Sequence, residues 1–165
     1  MSLRSVSMAC VLLFAPEAMA ETCSTVDFNG RLDSLRLSRP TTGAIVSTFG
    51  MRMHPLLRVT GFHNGLDFAG PSDEPVFAAG KGRIAFAEGK GEYGNLVQID
   101  HGNGLVTAYA HLNRIAVKVG DCVEPGVVVG KIGATGLSAG PQLHFEVLVD
   151  GKPIDPALVV DGTLP

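Results

Sequence analysis

The sequence contains no tryptophan, no block of like charge and no low-complexity tract. With 13 basic residues against 16 acidic ones and a formal net charge of -3, it lacks the positive footprint that a phosphate backbone attracts. Nucleic acid is therefore excluded as a partner. No heptad pattern marks a coiled coil, and no clear internal repeat shows. Long apolar runs are missing as well. The one candidate, Met8 to Phe14, is too short to cross a bilayer, and no transmembrane segment is expected in the mature chain.

That short run has another meaning. Arg4 precedes it and Ala18-Met19-Ala20 follows, which together form the basic region, apolar region and small-x-small cleavage site of a signal peptide over residues 1–20. Export to the periplasm or the exterior is the expectation. Cysteine is scarce, with 3 in the chain, and Cys10 leaves with the signal. Cys23 and Cys122 then sit in an oxidising compartment, where a disulfide between them is the favoured reading and two unpaired thiols the alternative.

What is present points to one β-rich domain. Hydrophobic residues make up 45% of a 165-residue chain, enough for a real core. The chain has 21 glycines and 10 prolines, and from Thr41 onward turn signals built on them come at the short intervals of an all-β fold with tight turns. Residues 21–40 carry little periodicity beyond Leu32, Leu35 and Leu37 and read as a short N-terminal lead-in to a domain over 41–160. Less favoured is a latent inhibitory strand laid over a cleft, with Asn29 reaching a metal.

The strongest hairpin signal is His101-Gly102-Asn103-Gly104, flanked by strands from Asn95 to Asp100 and from Leu105 to Leu112. In the second strand, alternation sets Val106, Ala108 and Ala110 on one face and Thr107, Tyr109 and His111 on the other. Tyr109 and His111 together are candidates to line a cleft. His101, at the hairpin tip, is expected as a solvated turn residue, and His54, before Pro55, as a second cleft-lining candidate.

Three residues suit a metal. His63, Asp67 and His144 offer two imidazoles and one carboxylate, the donor set of a catalytic zinc with a fourth position open to water. Four residues of straight strand cover about 13 Å, so His63 and Asp67 converge only if the chain bends between them. Asn64-Gly65 supplies that bend. Further along, Leu143, Phe145, Val147 and Val149 alternate with Gln142, His144 and Glu146, the pattern of a half-buried strand that points Gln142 and His144 the same way.

These residues lie in motifs that follow one another in a specific order: FGMRMHP at 49–55, HNGLDF at 63–68, GNLVQIDHGNGLVTAYAHL at 94–112, VGDCVEPG at 119–126 and GATGLSAGPQLHFEV at 133–147. From about Ser47 to Pro156 the chain resembles the lysostaphin-type zinc endopeptidases, the LytM-domain family that cleaves peptide cross-links of bacterial cell walls. The resemblance implies an open two-sheet antiparallel domain, a duplicated hybrid motif, with one zinc per chain in a groove. It implies His63, Asp67 and His144 as ligands, His111 as a catalytic histidine and peptidoglycan as substrate. Asp73 stands at a turn where relatives often have glycine, a position that aspartate tolerates in the left-handed region.

One departure bears on mechanism. The family's second catalytic histidine lies two residues before the last ligand, and here that position is Gln142. A glutamine amide can orient water or donate to an oxyanion, but it takes up no proton near neutral pH. Two functions from different classes follow. The first is a secreted zinc endopeptidase on wall stem or cross-link peptides, with His111 handling protons and Gln142 as a polar aide. The second is a catalytically impaired LytM-domain protein that binds cell wall or regulates another wall hydrolase.

Overall fold

The computed structural model of the chain describes residues 22–53 and 56–162. The signal segment 1–20 and His54 lie outside these described residues. Thirteen strands follow in order: β1 (Ile45–Ser47), β2 (Gly50–Met53), β3 (Thr60–His63), β4 (Leu66–Ala69), β5 (Pro75–Phe77), β6 (Gly82–Gly89), β7 (Asn95–Gly102), β8 (Leu105–Leu112), β9 (Arg114–Ile115), β10 (Cys122–Val123), β11 (Val128–Lys131), β12 (Gln142–Val149) and β13 (Lys152–Ile154). Every strand pairing is antiparallel. Among the described residues no helix is long and apolar enough to cross a membrane.

An eight-stranded sheet runs in the order β1-β4-β12-β8-β7-β6-β10, with β13 beside the second half of β12, and a three-stranded sheet runs β5-β11-β9. The hairpin β2–β3 forms a separate two-stranded ribbon, which strand alternation alone does not foretell. β7 and β8 are the hairpin of the 101–104 turn, closed through Asn103 and Gly104 in the left-handed region.

Alternation decides which face each strand buries. Leu143, Phe145 and Val147 of β12 enter the main core with Leu66 and Phe68 of β4, Val97 and Ile99 of β7 and Val76 and Val129 of the three-stranded sheet. Residues 22–40 are packed into the same core through Phe28, Leu35 and Leu37. Leu37 bridges in parallel to Val160, and Cys23 is disulfide-bonded to Cys122 on β10. The opposite face of the large sheet carries a small second cluster of Leu96, Ala108 and Ala110.

Two expectations for the β7–β8 hairpin are overturned. Tyr109 does not line a cleft: it is fully buried in the main core, its hydroxyl accepting from the Ala79 amide at 2.9 Å. The reason is register, since Tyr109 lies opposite Phe145 and so shares the inward face of β12. His101 is likewise no solvated turn residue. It is fully buried, with Nδ1–H donating to the carbonyl of Lys81 at 2.8 Å and Nε2 lying 2.8 Å from Thr107 Oγ1. Strand β7 extends through Gly102, which keeps His101 within the sheet, on the same inward face as Val97 and Ile99.

Candidate metal centre

The outward face of β4, β12 and β8 carries the site. Asp67 on β4 lies directly opposite His144 on β12, and His144 lies opposite Ala110 on β8. His63 ends β3 and reaches the same point because the chain turns through Asn64-Gly65 before β4 begins. Glycine is required there: a Cβ on Gly65 would run into the carbonyl oxygen of Phe145. The corner therefore lies flat against β12.

The three donor atoms converge. His144 Nδ1 is 2.7 Å from Asp67 Oδ1, and His63 Nε2 is 3.1 Å from each of them. Ligand atoms held tetrahedrally at about 2.0–2.1 Å from a zinc ion lie about 3.3 Å apart, so the cluster matches such a centre after a slight expansion. All three residues are buried. The far nitrogen of each ring is also occupied: His63 Nδ1–H donates to the carbonyl of Thr48 at 2.8 Å, and His144 Nε2–H donates to Glu146 Oε1 at 3.0 Å. Those bonds fix the tautomers that leave His63 Nε2 and His144 Nδ1 facing the common point. The donor set therefore fits a divalent cation.

Electrostatics point the same way. Burial would lift the Asp67 carboxyl, but hydrogen bonds and charge from His144 and His63 outweigh it and hold the group well below the usual carboxylate range. Burial would lower the His144 imidazole, yet the Asp67 and Glu146 carboxylates outweigh it and raise it to about 9. In the absence of metal a proton on His144 answers the negative charge that a cation answers otherwise.

His111 reaches the site by a backbone device. Alternation sets it on the same face as Tyr109, toward the core, but φ is +61° at His111, and the left-handed turn swings the ring to the outward face. Its centroid lies 5.8 Å from that of His144. Nδ1–H donates to the carbonyl of Thr135 at 2.9 Å, leaving Nε2 as an acceptor in the cleft. Burial pushes this imidazole down, with the Thr135 carbonyl opposing the shift. A neutral ring with a free acceptor nitrogen is suited to take a proton from water.

The cleft around these groups holds about 220 Å³ and is also lined by Gln142, Arg52, Tyr93, Glu92 and Leu137. The structure thus brings His63, Asp67, His144, His111 and Gln142 together and leaves Tyr109 out, while His54 is outside the described residues. Asn29 is elsewhere too. Its Oδ1 accepts from the Arg31 amide at 3.1 Å, and the carbonyl of the adjoining Phe28 accepts from Asn103 at the hairpin tip. That tip, at Asn103, is eight residues, about 26 Å of strand, from His111.

Three cleft residues carry no signal of this role in the sequence reading. Glu146 holds His144, and Tyr93 donates its hydroxyl to Glu146 Oε1 at 3.1 Å. Glu146 was accessible in principle, because it follows His144 by two residues on one strand face. Arg52, whose Nη2 lies 3.3 Å from Asp67 Oδ2, arrives through the separate β2–β3 hairpin, a tertiary placement that no local pattern encodes.

The sequence matches the model of Peptidase family M23 over residues 61–156. DD-carboxypeptidase/endopeptidase Mpg of Neisseria meningitidis serogroup B is 46% identical over 115 residues, which cover 70% of this chain and 26% of that protein. Among solved structures, a zinc containing peptidase from Vibrio cholerae has a TM-score of 0.67 at 38% identity, covering 76% of this chain and 39% of that one. The catalytic domain of the antimicrobial peptidase lysostaphin from Staphylococcus simulans has a TM-score of 0.64 at 30% identity, covering 70% of this chain and 90% of that one. The chain spans about a quarter of the length of the curated relatives it matches.

Proposed function

Because the chain belongs to Peptidase family M23, we propose that it is an exported zinc endopeptidase that hydrolyses peptide bonds in peptidoglycan stem or cross-link peptides. The observation that carries this reading is the convergence of His63 Nε2, Asp67 Oδ1 and His144 Nδ1, with both ring tautomers fixed from behind. Zinc bound there supplies Lewis acidity toward the scissile carbonyl and toward water. The chain's own residues do the rest. His111 Nε2 accepts the proton of the attacking water and returns it to the leaving amine. Gln142 stands on the same strand face as His144, where its amide orients water or donates to the oxyanion. The pattern of residues 1–20 directs the protein out of the cytoplasm.

Gln142 also favours a second reading, that of an impaired domain which binds cell wall or regulates another wall hydrolase. Metal analysis and digestion of purified peptidoglycan separate the two. The endopeptidase carries one zinc per chain and solubilises wall in a chelator-sensitive manner. Zinc-loaded protein that releases no peptide, and gains cleavage only as Gln142→His, establishes the regulatory reading. Protein that binds no zinc ends the assignment of the metal site and with it the endopeptidase reading.

A further inference from the structure

His111 owes its aim to an irregularity at the end of β8. Leu112 pairs with Asn95 and Tyr109 with Val97, so three steps along β8 answer two along β7, and the extra residue makes a bulge. The left-handed backbone at His111, φ +61°, belongs to that bulge, a conformation that residues with a Cβ rarely adopt. A side chain carried on such backbone keeps its direction only while its surroundings hold it there.

One residue holds it from two sides. Thr135 lies between β11 and β12, and its carbonyl accepts His111 Nδ1–H at 2.9 Å. Its hydroxyl donates at 2.8 Å to the carbonyl of Leu112, the residue that follows His111, and accepts at 3.0 Å from the amide of Asn95, the partner of Leu112 on β7. Asn95 Nδ2–H donates to the same Leu112 carbonyl at 2.9 Å, which closes a small ring of bonds across the bulge. The loop bearing Thr135 is itself seated. A Cβ on Gly94 would run into the Thr135 backbone, and the Leu137 amide donates to the carbonyl of Glu92 at 2.8 Å. Among the described residues, the hydroxyl and carbonyl of Thr135 bond to His111, Leu112 and Asn95 and to none of the three metal ligands.

A neutral imidazole has two tautomers, and only the one protonated on Nδ1 offers Nε2 as a base. Resting on the endopeptidase reading above, we propose that Thr135 is a positioning residue for the proton transfer. Its hydroxyl locks the bulge, and the lock keeps the carbonyl of the same residue against Nδ1–H, so that His111 Nε2 faces the attacking water unprotonated.

Thr135→Val removes the hydroxyl and keeps the shape of the side chain, whereas Thr135→Ser keeps the hydroxyl. On wall peptides the zinc-loaded valine variant should lose about tenfold to a hundredfold in kcat with KM within about twofold of wild type, and the serine variant should stay within about threefold. Long-range proton–nitrogen correlation NMR of the same zinc-loaded proteins reads the ring itself. His111 should carry its proton on Nδ1 alone in wild type and in Thr135→Ser, and should exchange between both tautomers in Thr135→Val. Thr135→Ala, which places no methyl groups against the bulge, is read in the same way if the valine variant fails to fold. A wild-type ring protonated on Nε2 overturns the proposal. So does a hydroxyl-free variant that keeps the wild-type tautomer, even with a lower kcat, because the hydroxyl then supports the loop and not the ring. If wild type cuts no wall peptide, the endopeptidase reading fails, and the NMR comparison alone decides Thr135: a tautomer lost with the hydroxyl sustains its role, and a tautomer kept without it overturns that role.

Discussion

Glu146 stands two residues beyond His144 on one face of β12, and its Oε1 accepts both the His144 Nε2–H at 3.0 Å and the Tyr93 hydroxyl at 3.1 Å. The carboxylate fixes the ring orientation that aims Nδ1 at Asp67 and His63, while Tyr93 fixes the carboxylate. Removing such a support typically lowers metal affinity about 10- to 100-fold. Glu146→Ala should show that loss in a competition between the protein and a chromogenic chelator, and Tyr93→Phe a smaller one. Unchanged zinc affinity in Glu146→Ala would refute the orienting role.

Gln142 lies opposite Ala69, one step along the strand face from the pair of His144 and Asp67. Restoring a titratable ring at this position supplies the second proton-handling group, and positioned acids or bases are worth about 10² or more in rate. Gln142→His should therefore raise kcat on wall peptides with KM little altered. A variant no faster than wild type would show that His111 alone covers both proton transfers.

The bond between Cys23 and Cys122 spans a sequence separation of 99 and ties residues 22–40 to the edge strand β10. Neighbouring contacts reinforce it, with Ser24 Oγ donating to Glu124 at 2.7 Å and the Val26 amide to the carbonyl of His101 at 3.1 Å. Closing a loop of that size restricts the unfolded chain, and losing a native bridge of this kind costs about 2–5 kcal/mol. Cys23→Ser with Cys122→Ser should lower the urea midpoint accordingly, and a reductant should shift the wild type but not the double variant. Equal midpoints for the two proteins without reductant would show that the bridge does not form.

The metal ligands were legible because each rests on a short-range rule: the Asn64-Gly65 bend, and the two-residue period that separates His144 from Leu143 and Phe145. Of the pair grouped as cleft-lining, His111 reaches the cleft and Tyr109 does not, for one reason. Period-two alternation places both on the same face, and the left-handed backbone at His111 breaks that period where no glycine or proline announces it. Residues 22–40 lack periodicity because they are not a strand of either large sheet. Their apolar residues are spaced to meet pockets in a core built by the rest of the chain, which only tertiary structure reveals. Arg52 belongs to the same class, delivered to the cleft by a hairpin whose pairing is independent of the main sheet.

The same limit applies to His101, whose polar face looked fit for solvent and instead forms a buried chain. Nε2 of His101 contacts Thr107 Oγ1, which lies 3.0 Å from the Tyr109 hydroxyl, which in turn accepts from Ala79. Burial pushes the His101 imidazole below its ordinary value, against the opposing pull of the Lys81 carbonyl and the Asp100 charge. The unfolded chain, with an ordinary histidine near 6.5, thus binds more protons than the folded one once pH drops below that value. Stability from the neutral ring is fully present above about pH 6.5 and declines on acidification toward the depressed folded value, at up to about 1.4 kcal/mol per pH unit. The shifted imidazoles of His144 and His111 titrate in the same experiment, so the quantity to measure is the difference between wild type and His101→Gln in urea unfolding from pH 7.5 down to about 5. The wild type should lose more stability than the variant across that span. Parallel curves would mean that His101 is protonated as easily in the core as in water, and that the buried chain does not depend on a neutral ring.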